Sequence, residues 1–347
     1  MKRRALVFVT VVVVVLFGGG TGALYAYDAT RSDHIANGIS AGGVDIGGLD
    51  SAQARLRLEH QLAPRLERPV TLVYGGKRFV LTAQQASLHA DIGAMVDAAV
   101  ARSRHGSFFS RALRDLRGDD VKARLRPRVG YSATAVHALV TRTAKAIDRE
   151  PVNAQVRATG VSLNVVPSKT GIAVRRLLLE RIIRARLADP AATRTLRVPT
   201  RIAKPWISTK NLAKHYPYFI TIQRSAFQLR LWDHLKLRKV YPIAVGQVGL
   251  ETPAGLYHVQ NKAINPAWQV PNSAWAGSLA GQTIPGGTPE NPLKARWLGI
   301  YNGAGIHGTS ETWSLGHAAS HGCIRMSIPD VIELNSIVPL HTPVYIQ

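Results

Sequence analysis

The chain has 347 residues, with 44 Lys+Arg against 21 Asp+Glu, a formal net charge of +23 and 46% hydrophobic residues. That apolar fraction excludes a disordered chain, and the length allows two or three domains. The single cysteine, Cys323, excludes a disulfide framework and a multi-cysteine zinc site.

Lys2, Arg3 and Arg4 precede an uncharged apolar stretch from Ala5 to Tyr27, densest over Ala5–Phe17. This is the layout of a signal peptide's basic and apolar regions. It also approaches the roughly 20 apolar residues that a bilayer span needs. No clean small-x-small cleavage site precedes Asp28, so residues 1–27 are expected to form an uncleaved signal anchor. The basic end then stays in the cytoplasm, and the body of a single-pass membrane protein lies outside, facing the wall. A nucleic-acid partner is therefore not expected. Residues 206–347 hold 11 Lys+Arg and 6 Asp+Glu, a net of +5, which leaves +18 on residues 1–205. Anionic wall polymers or lipid head groups would match that charge, and a merely solubilising surface is the alternative.

Residues 28–45 are polar and Gly-rich, as a linker would be. Ser51 can cap a helix carrying Ala54, Leu56, Leu58 and Leu62, and Pro69–Tyr74, Gly75-Gly76 and Phe79–Leu81 read as a hairpin. A helix over Ile92–Val100 follows. The order recurs as a helix over Ala135–Ile147, a hairpin between Pro151 and Val166 turning at Thr159-Gly160, and a helix carrying Ile172, Leu177, Leu178, Ile182 and Ile183. Pro69-Val70 and Pro151-Val152 lie 82 residues apart, which predicts a degenerate helix–hairpin–helix repeat of α+β type. Arg-rich residues 103–130 read as an exposed connection between the copies. No chemistry stands out in residues 28–205.

After Pro205 short apolar runs are cut by Gly, Pro and Asn: Tyr218–Gln223, Phe227–Trp232, Arg238–Val245. Residues 206–347 are thus predicted to be mainly β, sandwich-like or barrel-like, with one short helix over Pro329–Ser336.

The lone cysteine sits in Ser320-His321-Gly322-Cys323-Ile324-Arg325-Met326, with Ile306-His307-Gly308-Thr309 sixteen residues upstream. Most free cysteines are inert and buried. To act, a thiol with an ordinary pKa of about 8.5 needs an electropositive, partly exposed setting. His321, Arg325 and His307 can provide it. Gly322 allows close approach to the backbone, and the N–H groups of Gly322 and Cys323 can form an oxyanion hole. A cysteine nucleophile needs a base within reach. His321 shares a strand face with Cys323, His307 can fold opposite the sulfur, and spacing leaves both open.

The His307-Gly308-Thr309 and Ser320–Met326 segments together resemble the signature of L,D-transpeptidases with a YkuD-like catalytic domain. Thr252-Pro253-Ala254-Gly255-Leu256-Tyr257-His258-Val259, Asn265-Pro266-Ala267-Trp268 and Pro289-Glu290-Asn291-Pro292-Leu293 resemble further motifs of that family. The resemblance covers about residues 215–347. It departs at Lys294-Ala295, where the family often has glycine after Asn-Pro-Leu. Gly42-Gly43-Val44-Asp45-Ile46-Gly47-Gly48-Leu49 resembles, more loosely, the peptidoglycan-binding modules that precede such domains; a rigid spacer is the other reading of residues 28–205.

The resemblance implies Cys323 as nucleophile, His307 as proton donor and acceptor, and His321 in support. Ser320, Gly322, Arg325, Gly308 and Thr309 are then the oxyanion and substrate-binding positions. Ser320 is expected to fix a histidine, and Arg325 to hold the loop or meet a substrate carboxylate. The implied reaction is attack on a peptidoglycan tetrapeptide stem, a thioester, and a 3→3 cross-link to a second stem, with no metal or organic cofactor. Hydrolysis by an L,D-carboxypeptidase and a non-catalytic wall-binding protein are the alternatives. A papain-like protease would carry its cysteine near the mature N-terminus with histidine downstream, the reverse of the order here. Trp268, Trp275, Trp297 and Trp313 are candidate groove or sugar-stacking residues, and Gly277–Gly287 a candidate lid or groove wall.

Overall fold

A computed structural model describes residues 20–347. The expected anchor, residues 1–27, falls mostly outside them; residues 20–30 are helical. Among the described residues no helix is long and apolar enough to cross a membrane. The chain divides into two compact units, one ending at Glu150 and resuming over Ile172–Ala203, the other made of Pro151–Gly171 and Lys204–Gln347.

The first unit is α+β with two cores. In the first core, Gly42 and Gly43, at φ 59° and 80°, turn the chain between strands Ile39–Ala41 and Val44–Asp45. A two-residue hairpin turn of this hand needs positive φ, which glycine adopts freely. Strand Ala123–Leu125 joins Ile39–Ala41 in parallel. Helices Ser51–Leu66 and Ile92–Ser103 bury Leu58, Leu62, Met95 and Val96 beside this sheet. Asp50, not the expected Ser51, and Asp91 cap the two helices by accepting the N–H groups of Gln53 and Ala94. In the second core, hairpin Val70–Tyr74/Lys77–Leu81 pairs with Thr195–Arg197, and helices Ala133–Ile147 and Arg176–Ala188 bury Leu139, Val140, Leu179 and Ile183.

Residues 28–45 are not a linker: they hold strands Ile39–Ala41 and Val44–Asp45, and Ile35, Ile39 and Val44 are buried in the first core. Ile172, expected in a helix, lies in strand Gly171–Val174. Two further expectations need correction. Residues 103–130 are not an exposed connection: they contain helix Phe108–Arg117 and the sheet strand Ala123–Leu125. Ser107 caps this helix by accepting the Ser110 N–H, and Gly118 ends it at φ 71°. Its Arg111 makes a two-pronged ion pair, 2.6 and 2.8 Å, with buried Asp28. That hydrogen-bonded guanidinium holds the Asp28 carboxyl below the usual carboxylate range. The second correction concerns the repeat. Hairpin Gln155–Ala158/Leu163–Val166 forms where expected, yet it belongs to the second unit. It buries no apolar strand face of its own. Polar bonds hold it instead: Ala154 N–H donates to Ile207 O, and Gly160 O accepts from Thr221 Oγ1 and Arg230 Nη1.

The rest of the second unit is mainly β. One sheet has the order Lys236–Pro242, Gln228–Asp233, Tyr218–Gln223, Pro343–Ile346, Gly255–His258. The other has the order Asn261–Ile264, Arg296–Tyr301, Ala304–Thr309, Ile324–Ser327. Both contribute to one core, with Ile220, Leu231 and Val344 from the first and Leu298, Ile306 and Met326 from the second. Helix Ile328–Ile337 closes the core with Val331 and Leu334. It starts where the expected Pro329 helix does, with Ser327 as its cap. This is the sandwich-like arrangement read from the alternating short runs.

Candidate active site

His307 and Arg325 lie on the second sheet of this unit, Cys323 immediately precedes one of its strands, and Ser320 ends strand Ala318–Ser320, which pairs with Val245–Gly246. Ala304–Thr309 and Ile324–Ser327 run parallel, with Ile306 opposite Ile324 and His307 opposite Arg325. Continuing that register by one residue sets Cys323 beside Gly305. Residues in register, and residues two apart, share a sheet face. Gly305, His307, Cys323 and Arg325 therefore face the same way, away from buried Ile306 and Ile324. Gly305 has a steric reason: a Cβ there would lie 2.6 Å from Leu298 O and from the Trp297 ring. The indole passes over the glycine and stacks toward His307, centroids 6.1 Å apart.

This face floors a cavity of about 710 Å³. Cys323, His307, His321, Ser320 and Arg325 line it, as do Trp268, Trp275 and Trp297; none of its lining residues is Asp or Glu. Trp313 is not among them and is 69% exposed. The Gly277–Gly287 region forms a groove wall: turn Ala274–Leu279 carries Trp275, whose ring stacks on His321 at 4.2 Å and 15°. Nothing in the sequence signalled that stack, because its partners lie on separate segments. The opposite wall, Pro292 and Leu293, is organised by buried Asn291. Its Nδ2 donates to the carbonyls of Pro266, Ile284 and Pro285, and its Oδ1 accepts from Leu293 N–H. The Asn-Pro-Leu motif is thus a loop brace, and Lys294 beyond it adopts φ 51°.

His307 is 4% exposed. Its Nδ1 lies 2.7 Å from Gly308 O, so Nδ1 carries the proton and Nε2 the lone pair. Burial pushes its pKa down to about 4; the Gly308 carbonyl opposes this, Arg325 adds to it, and the Pro292 carbonyl opposes it. Burial likewise pushes the Cys323 thiol up, against the Gly305 N–H and the Arg325 charge. Both groups are therefore neutral near pH 7. His321 is exposed, and desolvation followed by Arg325 lowers its pKa while Glu311 raises it.

Several expected roles change. Ser320 does not hold a histidine; its Oγ donates to the Cys323 carbonyl. Arg325 binds Glu311 at 2.7 Å, which supports the loop-holding role over a free carboxylate clamp. Gly308 and Thr309 do not line the cavity. Gly308 acts through its carbonyl on His307, and buried Thr309 accepts the Glu311 N–H. Gly322, at φ 105°, gives its carbonyl to Thr252 Oγ1. The N–H groups of Gly322 and Cys323 have no hydrogen-bond partner among the described residues. Thr252 is a site residue that the sequence reading treated only as part of a strand motif.

The two-sheet core and the histidine–cysteine cavity place the second unit in the class of L,D-transpeptidase catalytic domains. Residues 217–346 match the family described as "L,D-transpeptidase catalytic domain", and residues 79–193 the family described as "Putative peptidoglycan binding domain". Two Bacillus relatives, both named "Putative L,D-transpeptidase", are similar to the catalytic part. YqjB of Bacillus subtilis is 35% identical over 154 residues, 42% of this chain and 79% of that protein. YkuD of Bacillus licheniformis is 39% identical over 131 residues, 38% of this chain and 66% of that protein. The solved catalytic domain of the E. faecium L,D-transpeptidase is 24% identical, covering 38% of this chain and 98% of that one at a TM-score of 0.30. The chain belongs to the L,D-transpeptidase family.

Proposed function

We propose that the protein is a peptidoglycan L,D-transpeptidase forming 3→3 cross-links through a thioester on Cys323. The observation that carries this reading is the placement of Cys323 and His307 on one sheet face, in one cavity, with His307 held in the tautomer that leaves Nε2 basic. The Cys323 sulfur attacks the carbonyl of the third stem residue, and its proton passes to His307 as the C–S bond forms. The free N–H groups of Gly322 and Cys323 stabilise the oxyanion. His307 returns the proton to the departing D-Ala amine as the C–N bond breaks, leaving the thioester. The side-chain amine of residue three on a second stem then attacks. His307 takes its proton and returns it to sulfur as the thiol leaves. The cleaved peptide bond's energy is conserved in the thioester, so the chemistry needs no metal or organic cofactor. His321, stacked on Trp275, supports the site from the cavity mouth.

We further place residues 1–27 as a membrane anchor with the body outside the cell, on the basic-then-apolar pattern of the sequence. Residues 28–205 then hold the catalytic domain near the wall, by binding glycan or through attraction of their positive charge to anionic polymers.

The test is to incubate the chain lacking its apolar N-terminal stretch with disaccharide-tetrapeptide and follow products by mass spectrometry, with Cys323→Ala as control. A dimer formed with loss of D-Ala, absent in the variant, supports transpeptidation. Monomeric tripeptide moves the assignment to L,D-carboxypeptidase. No turnover and no adduct on Cys323 favours a wall-binding protein.

A further inference from the structure

We infer that Thr252 is a positioning residue for acyl transfer: its hydroxyl clamps the Gly322 carbonyl and thereby aims the Cys323 N–H at the developing oxyanion. This rests on the thioester reading above and adds a residue to it. Thr252 lies 70 positions before Gly322 in sequence and is 1% exposed. Its Oγ1 accepts the Gly246 N–H at 2.9 Å and lies 2.9 Å from Gly322 O. A hydroxyl has a single proton, and a carbonyl oxygen only accepts. With one lone pair taken by Gly246, that proton is committed to Gly322.

Gly246 has no room to vary, since a Cβ there would lie 2.0 Å from Leu250 O. The loop therefore brings backbone and hydroxyl together at a fixed place. Across a trans peptide, C=O and N–H point in opposite directions. Fixing Gly322 O on Thr252 fixes the Cys323 N–H on the far side, where no protein group meets it. The next carbonyl, that of Cys323, is tied separately by Ser320 Oγ. Both carbonyls flanking the nucleophile are thus held by side-chain hydroxyls. Without the clamp the Gly322–Cys323 peptide is free to rotate, because φ 105° lies where glycine has several alternatives. A rotated peptide would present a carbonyl oxygen to an oxyanion, replacing attraction by repulsion.

The experiment compares Thr252→Val, which removes the hydroxyl, with Thr252→Ser, which keeps it. Losing one oxyanion donor costs about 10²–10³ in kcat. Thr252→Val should therefore lose about 10²-fold in kcat with KM little changed, and Thr252→Ser should recover most of it. Alkylation of Cys323 by iodoacetamide forms no oxyanion and should proceed at the wild-type rate in both variants. The Gly322 carbonyl carbon resonance should move upfield in Thr252→Val and return in Thr252→Ser. Wild-type kcat in Thr252→Val, or a Thr252→Ser variant as slow as Thr252→Val, would overturn the inference. So would alkylation slowed in step with acyl transfer, which would indicate a lost thiol environment instead of a misdirected donor. The two readings fail separately. A wild-type chain that releases no D-Ala counts against the proposed function, whereas an unmoved Gly322 resonance counts against the clamp.

Discussion

In the proposed mechanism His307 sets the pH dependence of acyl transfer. Its pKa of about 4 means that the imidazole stays neutral well below the ordinary histidine range. As a base it works only unprotonated, so kcat/KM should hold nearly level from about pH 8 to about pH 6 and fall through an acid limb near 4. A limb near 6.5 in the measured profile would instead point to an imidazole in an ordinary, solvated setting and not to His307. Stability follows the same group. Above about pH 6.5 neither the folded nor the unfolded imidazole is charged; between about 6.5 and about 4 only the unfolded one binds a proton. Stability should therefore fall across that window as pH drops, by about 3 kcal/mol in all. Chemical denaturation of His307→Asn at both pH values should show that slope reduced. His307→Ala should also lose about 10²–10⁴-fold in acylation rate, and His321→Ala less, since His321 is exposed and held by stacking. The opposite order would mean that the base is misassigned. Lys294 is a smaller case. At φ 51° it occupies a conformation that costs a residue with a Cβ about 1–2 kcal/mol. Its Nζ–Pro289 O bond is exposed and offsets little of that. Lys294→Gly should raise the melting temperature; a fall would show that the bond matters more than the strain.

At the scale of elements, helix Ile328–Ile337 anchors the strand that directly follows Cys323. Ser327 is both the last residue of that strand and the helix cap, with Oγ accepting from the Asp330 N–H. Ser327→Ala should cost about 1 kcal/mol of stability in urea unfolding; no change would mean that water replaces the cap. This helix was legible in advance because Pro329 and the following apolar residues are contiguous signals. So were the Gly75-Gly76 hairpin and the two segments that hold His307 and Cys323, which are runs of four and seven residues. Helix Phe108–Arg117 was not, because seven arginines in the 28 residues 103–130 resemble a solvated connection. What makes that segment ordered is Asp28, 83 residues away in sequence. Trp275 on His321 and Thr252 on Gly322 belong to the same kind. Each depends on a loop returning to the site, and local spacing carries no record of it. The second hairpin shows the complementary limit. Its strands were read correctly, but the unit it joins is decided by polar bonds to residues 207–230 and not by its own pattern.

At the scale of the whole molecule, the charge sits away from the chemistry: +18 on residues 1–205 against +5 on residues 206–347. The peptidoglycan-binding match, residues 79–193, lies inside that basic portion. Charge and binding fold therefore predict attachment to the wall by different physics, and salt separates them. Charge attraction between exposed groups is screened over about 3 Å at 1 M salt, against about 10 Å at 0.1 M. Contacts made by a shaped site with hydrogen bonds and apolar area lose far less. The chain without its apolar N-terminal stretch should cosediment with purified sacculi at both concentrations. The Cys323→Ala variant should behave the same, since retention does not require the thioester. Complete release at about 1 M salt would reduce residues 28–205 to a cationic spacer. Retention in wild type but release in Cys323→Ala would place the attachment in the catalytic cavity, as trapped acyl-enzyme, and leave the basic unit without a binding role.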